Sequence, residues 1–323
     1  MFETKNFPLY LSLLSVVVVL GYVRYANERM KNSLAVVEKD MRLEEGTLAP
    51  ADLNELDMQP LPAITFDLPD SLSFAGEAVP MNLTDVRERL DKELHINTYW
   101  HNNTIFLMKR ANRWLPQIQE ILRKNNIPDD FKYLPLIESG LMNDVSPKAA
   151  VGFWQILKSA GKENGLEITN EVDERYDPLK ATEAACKYLN TAYKKFGNWT
   201  VVAASYNRGM GGIGRAIENQ QVNSYYDLFL NDETARYVFR ILACKEIIEH
   251  PSTYGFKVSP RHLYDSEPVK YVQVSETITD LVAFAKRNGT NYKLLKRHNP
   301  WLRDERLTVR GKKSYKIALP ATE

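Results

Sequence analysis

The stretch DDFKYLPLIESGLMNDVSPKAAVGFWQI, residues 129–156, places Glu138 after four apolar residues, of which Pro135 should distort a helix just before it. Apolar surroundings disfavour the charged form of a carboxyl group, so they raise its pKa. A general acid that works near neutral pH needs this shift to hold its proton. Phe153 and Trp154 follow, and aromatic rings near a carboxyl group suit the C–H faces of sugars. Plainer interpretations exist, since glutamates are common on helix surfaces and tryptophan is usually a core residue.

The sequence on both sides of this stretch has a helical pattern. Apolar residues recur about every 3.6 positions in residues 102–126, 172–197 and 233–250. Asp177 suits the N-cap of the second of these helices, because its side chain can accept from free backbone N–H groups. No convincing alternating strand interrupts the pattern. We therefore predict a mainly α-helical domain over residues 81–260.

The pattern of apolar and polar residues changes after this domain. Residues 269–274 (VKYVQV) alternate and are rich in β-branched side chains, which predicts a strand. Two short helical segments follow, and residues 314–320 (SYKIALP) predict a closing strand. The resulting α+β unit, residues 265–323, is small for an independent core. It could equally be a subdomain packed on the helical body.

The overall composition excludes several classes of function. The chain has 323 residues and a formal net charge of +1, so no field of one sign indicates a nucleic-acid partner. Its five histidines are scattered, and there is no H-E-x-x-H or C-x-x-C motif, so we predict no metal and no cofactor. Cys186 and Cys244 both lie in predicted helices, which favours buried free thiols. A disulfide stays open if the protein is exported.

A family resemblance is carried by several motifs in order. Glu138-Ser139, the run Gly152-Phe153-Trp154-Gln155-Ile156 and the run Ser205-Tyr206-Asn207-Arg208-Gly209 are similar to motifs of lytic transglycosylase catalytic domains, including those of membrane-bound murein transglycosylases. The segments VDERYDP and ETARYV also recur at plausible spacing. The resemblance covers about residues 95–250. It implies a goose-type-lysozyme-like helical fold.

The resemblance also implies a reaction and its residues. Glu138 would protonate the glycosidic oxygen between N-acetylmuramic acid and N-acetylglucosamine in peptidoglycan. The carboxylate would then take the proton of the muramyl C6 hydroxyl, which closes on C1 to give a 1,6-anhydro product. Ordinary capping or core hydrogen bonding is the alternative for the other polar positions. The substrate-binding residues expected from the motifs are Ser139, Ser146, Gly152, Gln155, Tyr206, Asn207 and Tyr237.

Two other functions are also compatible with the sequence. A hydrolytic muramidase would need a second carboxylate such as Asp144 to activate water. An inactive glycan-binding scaffold would need no catalytic carboxyl group at all. Analysis of the digestion products separates the transglycosylase from the muramidase, and a Glu138→Gln variant tests the scaffold.

The C-terminal unit resembles LysM-like modules, which implies binding to glycans that contain N-acetylglucosamine. The order of its elements matches, as does the pair Asn299-Pro300. Ser275-Glu276-Thr277 stands where these modules usually have Gly-Asp-Thr. A structural cap on the helical domain is the alternative interpretation.

The N-terminal segment is predicted to be a membrane anchor. Residues 7–23 are apolar and uncharged, and no cleavage signal comes after them, so residues 1–30 indicate an uncleaved signal anchor. Residues 31–80 contain several prolines and are typical of a spacer. The basic residues after the apolar segment favour a cytoplasmic position for the rest of the chain. A peptidoglycan substrate overrides this, because it lies outside the inner membrane. We therefore expect a monomer that is anchored in the inner membrane with its catalytic domain in the periplasm.

Overall fold

The computed structural model describes residues 65–321. The predicted anchor (residues 1–30) and most of the predicted spacer lie outside the described residues. Within the described part of the chain, no helix is long and apolar enough to cross a membrane. The prediction of a mainly α-helical body is confirmed. Its helices are α1 (Thr84–Tyr99), α2 (His101–Lys124), α3 (Leu134–Ser139), α4 (Lys158–Glu163), α5 (Pro178–Phe196), α6 (Trp199–Arg208), α7 (Met210–Gln220) and α8 (Asp232–Glu249).

The C-terminal end of the predicted spacer is folded, contrary to the prediction for residues 31–80. A short hairpin, β1 (Ser73–Phe74) with β2 (Glu77–Ala78), packs against the helical core, and the ring of Phe74 is fully buried. The carboxylate of Glu77 accepts hydrogen bonds from the first two backbone N–H groups of α6, at 2.5 and 2.9 Å. A negative charge is favourable at the positive end of a helix. The folded body therefore begins before residue 81.

Local sequence signals explain where the central helices begin and end. The Asp177 carboxylate accepts from two backbone N–H groups at the start of α5, as predicted, and Pro178 occupies the first turn. Gly197 ends α5 in the left-handed conformation, with φ of 66°. Asn198 then caps α6 through the N–H of Val201 at 2.8 Å. Helix α6 is buried along most of its length, so the core of the domain surrounds it.

The C-terminal unit consists of one antiparallel strand pair and two short helices. Strand β3 (Val269–Val274) pairs with β4 (Tyr315–Pro320), and α9 (Leu281–Arg287) and α10 (Tyr292–His298) lie between them in sequence. These elements enclose a small hydrophobic core of their own. Val172, from the loop before α5, is part of that core and is almost fully buried. The unit is therefore completed by a side chain of the helical domain.

Backbone and side-chain bonds attach this unit to the same loop. Asp173 donates its backbone N–H to the carbonyl of Trp301 at 2.9 Å, and Arg303 donates to the carbonyl of Glu171 at 2.8 Å. The Glu171 carboxylate accepts from the backbone N–H of Thr308 at 2.7 Å and from the Arg306 guanidinium at 3.1 Å. The described residues, 65–321, form one compact body. The C-terminal unit is thus a subdomain packed on the helical domain.

Candidate active site

Glu138 lines a cavity of about 530 Å³ in the helical domain. Helix α3 contributes the carboxyl group, the corner between α1 and α2 contributes one wall, and the first half of α8 contributes another. This size lies in the usual range of ligand pockets. The polar and charged side chains around Glu138 in the lining are Glu93, Asn97, Asn103, Ser139, Asp144, Asp232, Glu233, Arg236 and Arg240.

Helix α3 is short and is fixed at both ends. Pro135 does not distort a longer helix, as the sequence suggested; it lies in the first turn of α3, after a 3-10 turn. Gly140 ends the helix with φ of 61°. The carbonyl groups at this end accept from two arginines: Arg240 binds the Ile137 carbonyl at 2.7 Å, and Arg110 binds the Gly140 carbonyl at 2.5 Å. The position of Glu138 is thus set by charge-assisted bonds to the backbone beside it.

The Glu138 carboxyl group is partly buried and accepts a hydrogen bond from the Tyr237 hydroxyl at 2.5 Å. Burial raises its pKa, and the nearby negative charge of Glu233 acts in the same direction. The Tyr237 hydrogen bond and the positive charge of Arg240 oppose this without cancelling it. The group therefore holds a proton at higher pH than an exposed glutamate does, which a general acid requires.

Two tyrosines lie near the acid, of which Tyr237 is buried and Tyr206 is partly buried. The pKa values of Tyr206 and Tyr237 are both raised well above the ordinary value. Burial is the main cause, and the charge of Glu138 is the next. Both phenols therefore remain neutral hydrogen-bond donors at physiological pH. Tyr237 donates to Glu138, whereas Tyr206 donates to the backbone carbonyl of Trp154 at 2.7 Å. Tyr206 thus fixes the loop beside the acid.

The loop after α3 contains three of the predicted substrate-binding residues. The Ser146 hydroxyl accepts from the Ala150 N–H at 3.1 Å, and the Gln155 amide donates to the Gly152 carbonyl at 2.9 Å. Ser146, Gly152 and Gln155 do not line the cavity around Glu138. In the structure they shape their own loop, and direct contact with substrate stays a prediction for them.

Two further predicted residues connect elements of the site. The Ser139 hydroxyl lies in the cavity lining and donates to the Phe153 carbonyl at 2.9 Å, which joins α3 to the loop. The Asn207 amide donates to Glu233 at 3.0 Å, and its oxygen accepts from the Thr234 hydroxyl at 2.8 Å. Asn207 therefore ties the end of α6 to the start of α8.

The aromatic pair that follows Glu138 in sequence does not form a sugar-binding wall. Trp154 is fully buried and donates its indole N–H to the Thr182 hydroxyl at 2.8 Å. Phe153 is also buried, with its ring edge-on to Trp114 at 5.2 Å. Both rings belong to the core, so the plainer interpretation is correct for them.

The arginines of the site were not among the residues predicted from the sequence. Arg236 lines the cavity and pairs with the buried Glu93 at 2.5 Å, and Arg240 binds the backbone of α3. A signal was present for Arg240, because it follows Tyr237 by three positions and so shares its face of α8. No comparable local signal existed for Arg110, which reaches α3 from a different helix.

Family profiles match two consecutive parts of the chain. The profile described as "Transglycosylase SLT domain" matches residues 116–229, and "Soluble lytic transglycosylase C-terminal LysM-like domain" matches residues 270–323. The chain thus carries an SLT transglycosylase domain followed by a LysM-like C-terminal domain. This confirms the predicted lysozyme-like helical domain with a small LysM-like unit.

The chain is homologous to membrane-bound lytic murein transglycosylase D of Escherichia coli strain K12. The two are 28% identical over 251 residues, which cover 75% of this chain and 54% of the relative. The same protein of E. coli O6:H1 matches to the same extent. The chain spans about half the length of these curated relatives. A solved structure of lytic transglycosylase Slt from Pseudomonas aeruginosa is 18% identical, with a TM-score of 0.36, over 47% of this chain and 26% of that one.

Proposed function

We propose that this chain is a lytic transglycosylase that cleaves the β-1,4 bond between N-acetylmuramic acid and N-acetylglucosamine in peptidoglycan. The observation that carries the proposal is a partly buried Glu138 of raised pKa, bonded to a neutral tyrosine, in a cavity large enough for sugar rings. The SLT domain match and the names of the homologous proteins support the same substrate class.

The proposed reaction uses Glu138 twice. In the first step, its proton passes to the glycosidic oxygen, and the bond electrons leave with the N-acetylglucosamine as its O4 hydroxyl. In the second step, the Glu138 carboxylate accepts the proton of the muramyl C6 hydroxyl, whose oxygen forms the new bond to C1. The proton is returned, and no water is consumed. The Tyr237 hydroxyl stabilises the carboxylate that exists between the two steps.

Digestion of purified sacculi followed by mass spectrometry tests the proposal. We expect 1,6-anhydromuramyl products from the wild-type chain and at least a hundredfold lower rate from Glu138→Gln. Glu218→Gln, a matched change at an exposed carboxylate outside the cavity, should digest at the wild-type rate. Full activity of Glu138→Gln would remove Glu138 from catalysis.

One observation favours a second candidate function, a hydrolytic muramidase. Asp144 lines the same cavity as Glu138 and is exposed, so its carboxylate is open to water. In that reaction, water would replace the C6 hydroxyl and the product would keep a reducing end. Reducing-end products, lost in Asp144→Asn, would support hydrolysis. Anhydro products that persist in Asp144→Asn would support the transglycosylase.

We propose that the LysM-like unit adds glycan affinity. Its own cavity of about 380 Å³ lies at the loop between β3 and α9, where Glu276 and Arg287 are exposed polar lining residues. The structural-cap alternative is supported by the docking on the helical domain. Co-sedimentation of the Glu138→Gln chain with sacculi distinguishes a glycan-binding unit from a structural cap. A double change, Glu276→Ala with Arg287→Ala, should lower the bound fraction if the unit binds glycan and leave it unchanged if the unit is only a cap.

The proposed substrate implies a location. We propose that residues 1–30 anchor the chain in the inner membrane, that the described domains lie in the periplasm, and that the chain acts as a monomer. The membrane-bound designation of the homologous protein supports membrane association. A reporter fused after residue 32 should be active only in its periplasmic form. Activity of a cytoplasm-specific reporter would overturn this topology.

A further inference from the structure

The corner between α1 and α2 exposes a large aromatic side chain to the cavity of Glu138. The helical backbone breaks at Trp100, whose ψ of 54° lies outside the helical range. The Trp100 side chain is 62% exposed, and it lines the same cavity as the catalytic carboxyl group. Trp154 and Trp301 are buried, so exposure of an indole here is not the rule in this fold. An exposed aromatic surface in a ligand cavity indicates a binding role.

Two hydrogen bonds of Thr104 fix the backbone of the α1–α2 corner. Thr104 is buried; its hydroxyl donates to the Asn97 carbonyl at 2.6 Å, and its N–H donates to the Trp100 carbonyl at 3.1 Å. These bonds connect the last turn of α1 to the first turn of α2 across the break. Trp100 is therefore presented from a fixed backbone, which lowers the entropy lost when a ligand binds to it.

The cavity-lining residues nearest to Trp100 in sequence are uncharged. They are Ile96, Asn97 and Asn103, whereas the charged Glu93 lies two turns earlier on α1 and pairs with Arg236. Among residues 65–321, the Asn103 side chain has no hydrogen-bond partner, although it is partly buried. A partly buried amide without a partner can donate to and accept from a hydroxyl or an N-acetyl group. An aromatic face beside an amide is the combination that a neutral, hydroxyl-rich ring requires.

We infer that the α1–α2 corner is a saccharide subsite of the cleft, in which Trp100 stacks on a sugar ring and Asn103 bonds its polar substituents. The inference rests on the proposed function, since it assigns the occupant as a sugar of the same glycan strand. The corner precedes the matched SLT region, residues 116–229. The subsite is thus supplied by chain outside the part that carries Glu138.

Binding to the Glu138→Gln chain tests the subsite apart from catalysis. The probe is a peptide-free tetrasaccharide of alternating N-acetylglucosamine and N-acetylmuramic acid, titrated by calorimetry. We expect Trp100→Ala to raise Kd about tenfold and Trp100→Phe to raise it less, because a ring face is retained. Asn103→Ala should also weaken binding. Phe229→Ala, which removes an aromatic ring that is 89% exposed and outside the cavity, should leave Kd unchanged.

Kinetics of the active chain give the second readout. Loss of a subsite that binds substrate and transition state alike should raise KM in Trp100→Ala with kcat nearly unchanged. An unchanged Kd and KM in Trp100→Ala, with folding verified by circular dichroism, would overturn the subsite while leaving the proposed reaction intact. Weaker tetrasaccharide binding by Trp100→Ala, in a chain whose wild type cuts no sacculi, would support the subsite and overturn the proposed reaction.

Discussion

At the scale of single residues, the proton on Glu138 is controlled by opposing influences. Burial raises the pKa of this carboxyl group, whereas the Tyr237 hydrogen bond and the Arg240 charge lower it. In the proposed reaction Glu138 acts first as an acid and then as a base, so it needs both influences. A carboxyl group whose pKa rose without limit would not release its proton.

Removal of the Tyr237 hydroxyl should move the pH profile of the proposed reaction. In Tyr237→Phe the Glu138 carboxylate loses its donor, so its pKa rises further and Glu138 stays protonated at higher pH. We expect the alkaline limb of kcat/KM to shift upward and kcat to fall by about a hundredfold. Tyr226→Phe is the matched control, since the buried Tyr226 hydroxyl has no partner in the described part of the chain. If the alkaline limb of kcat/KM moved to lower pH instead, Tyr237 would not be lowering the pKa of Glu138.

The same carboxyl group should reduce the stability of the fold at high pH. Its folded pKa is raised, so its contribution to stability is fully present below the unfolded pKa and is lost as pH rises through the folded pKa. We expect Glu138→Gln to be more stable than the wild type at pH 8, by roughly 1 kcal/mol, and to lose this advantage near pH 4. Thermal unfolding at the two values measures the difference. If Glu138→Gln were less stable than the wild type at pH 8, the buried charge of Glu138 would not be destabilising.

Glu138 and Tyr237 could be predicted from the sequence because both lie in recognisable motifs. The motifs do not separate residues that face the cavity from residues that support it. Phe153 and Trp154 illustrate this, since their position next to the acid in sequence says nothing about the core that α5 and α6 build around them. Trp100 shows the converse: it precedes the helical pattern of residues 102–126, and its exposure depends on a backbone break that no motif marks.

At the scale of elements, the loop that follows α3 depends on one close backbone contact. Gly152 has φ of 79°, and a Cβ atom there would lie 2.1 Å from the Arg175 carbonyl oxygen. The Arg175 guanidinium in turn binds the carbonyls of Ala149 and Ile156, each at 3.2 Å. The loop and the segment around Arg175 therefore fix each other. The motif predicts the glycine, but the residue that it must approach lies more than twenty positions further along the chain.

Alanine at this position should disrupt the loop. We expect Gly152→Ala to lose about 3 kcal/mol or more of unfolding free energy, because both the backbone conformation and the space disfavour a side chain. Gly197→Ala is the control: it also has positive φ, but nothing lies within 4 Å of its added Cβ, so only the conformational cost of about 1 kcal/mol applies. Denaturant unfolding compares them. Equal losses would show that the Arg175 contact does not matter.

At the scale of the whole molecule, the sequence left open whether the C-terminal unit stands apart or packs on the helical domain. The strand and helix order was predictable from alternation and period. The docking was not, because no local pattern marks Glu171, and the VDERYDP motif that begins at Val172 does not show which core its side chain enters. Their role becomes clear only from side chains that meet across more than a hundred positions of sequence.

Glu171 offers a direct test of the docking. Its pKa is lowered, chiefly by the hydrogen bond from the Thr308 N–H, so its contribution is present at neutral pH and is lost as pH falls through the folded pKa. We expect Glu171→Ala to cost about 1–3 kcal/mol of unfolding free energy at pH 7 and less in acid. Glu276→Ala, at an exposed carboxylate of the same unit, should cost almost nothing. A loss that is independent of pH would mean that the charge of Glu171 is not the cause.

The docking also affects when the newly synthesised chain can complete its fold. The loop that carries Arg175 is completed by Trp301 and Leu302, which are synthesised more than a hundred residues later. Domains commonly fold in the order in which they are synthesised. Here Val172 has no core to enter until β3 and β4 have paired. We therefore expect the loop between α4 and α5, which carries Val172 and Arg175, to reach its final packing only after residues 269–320 have been synthesised.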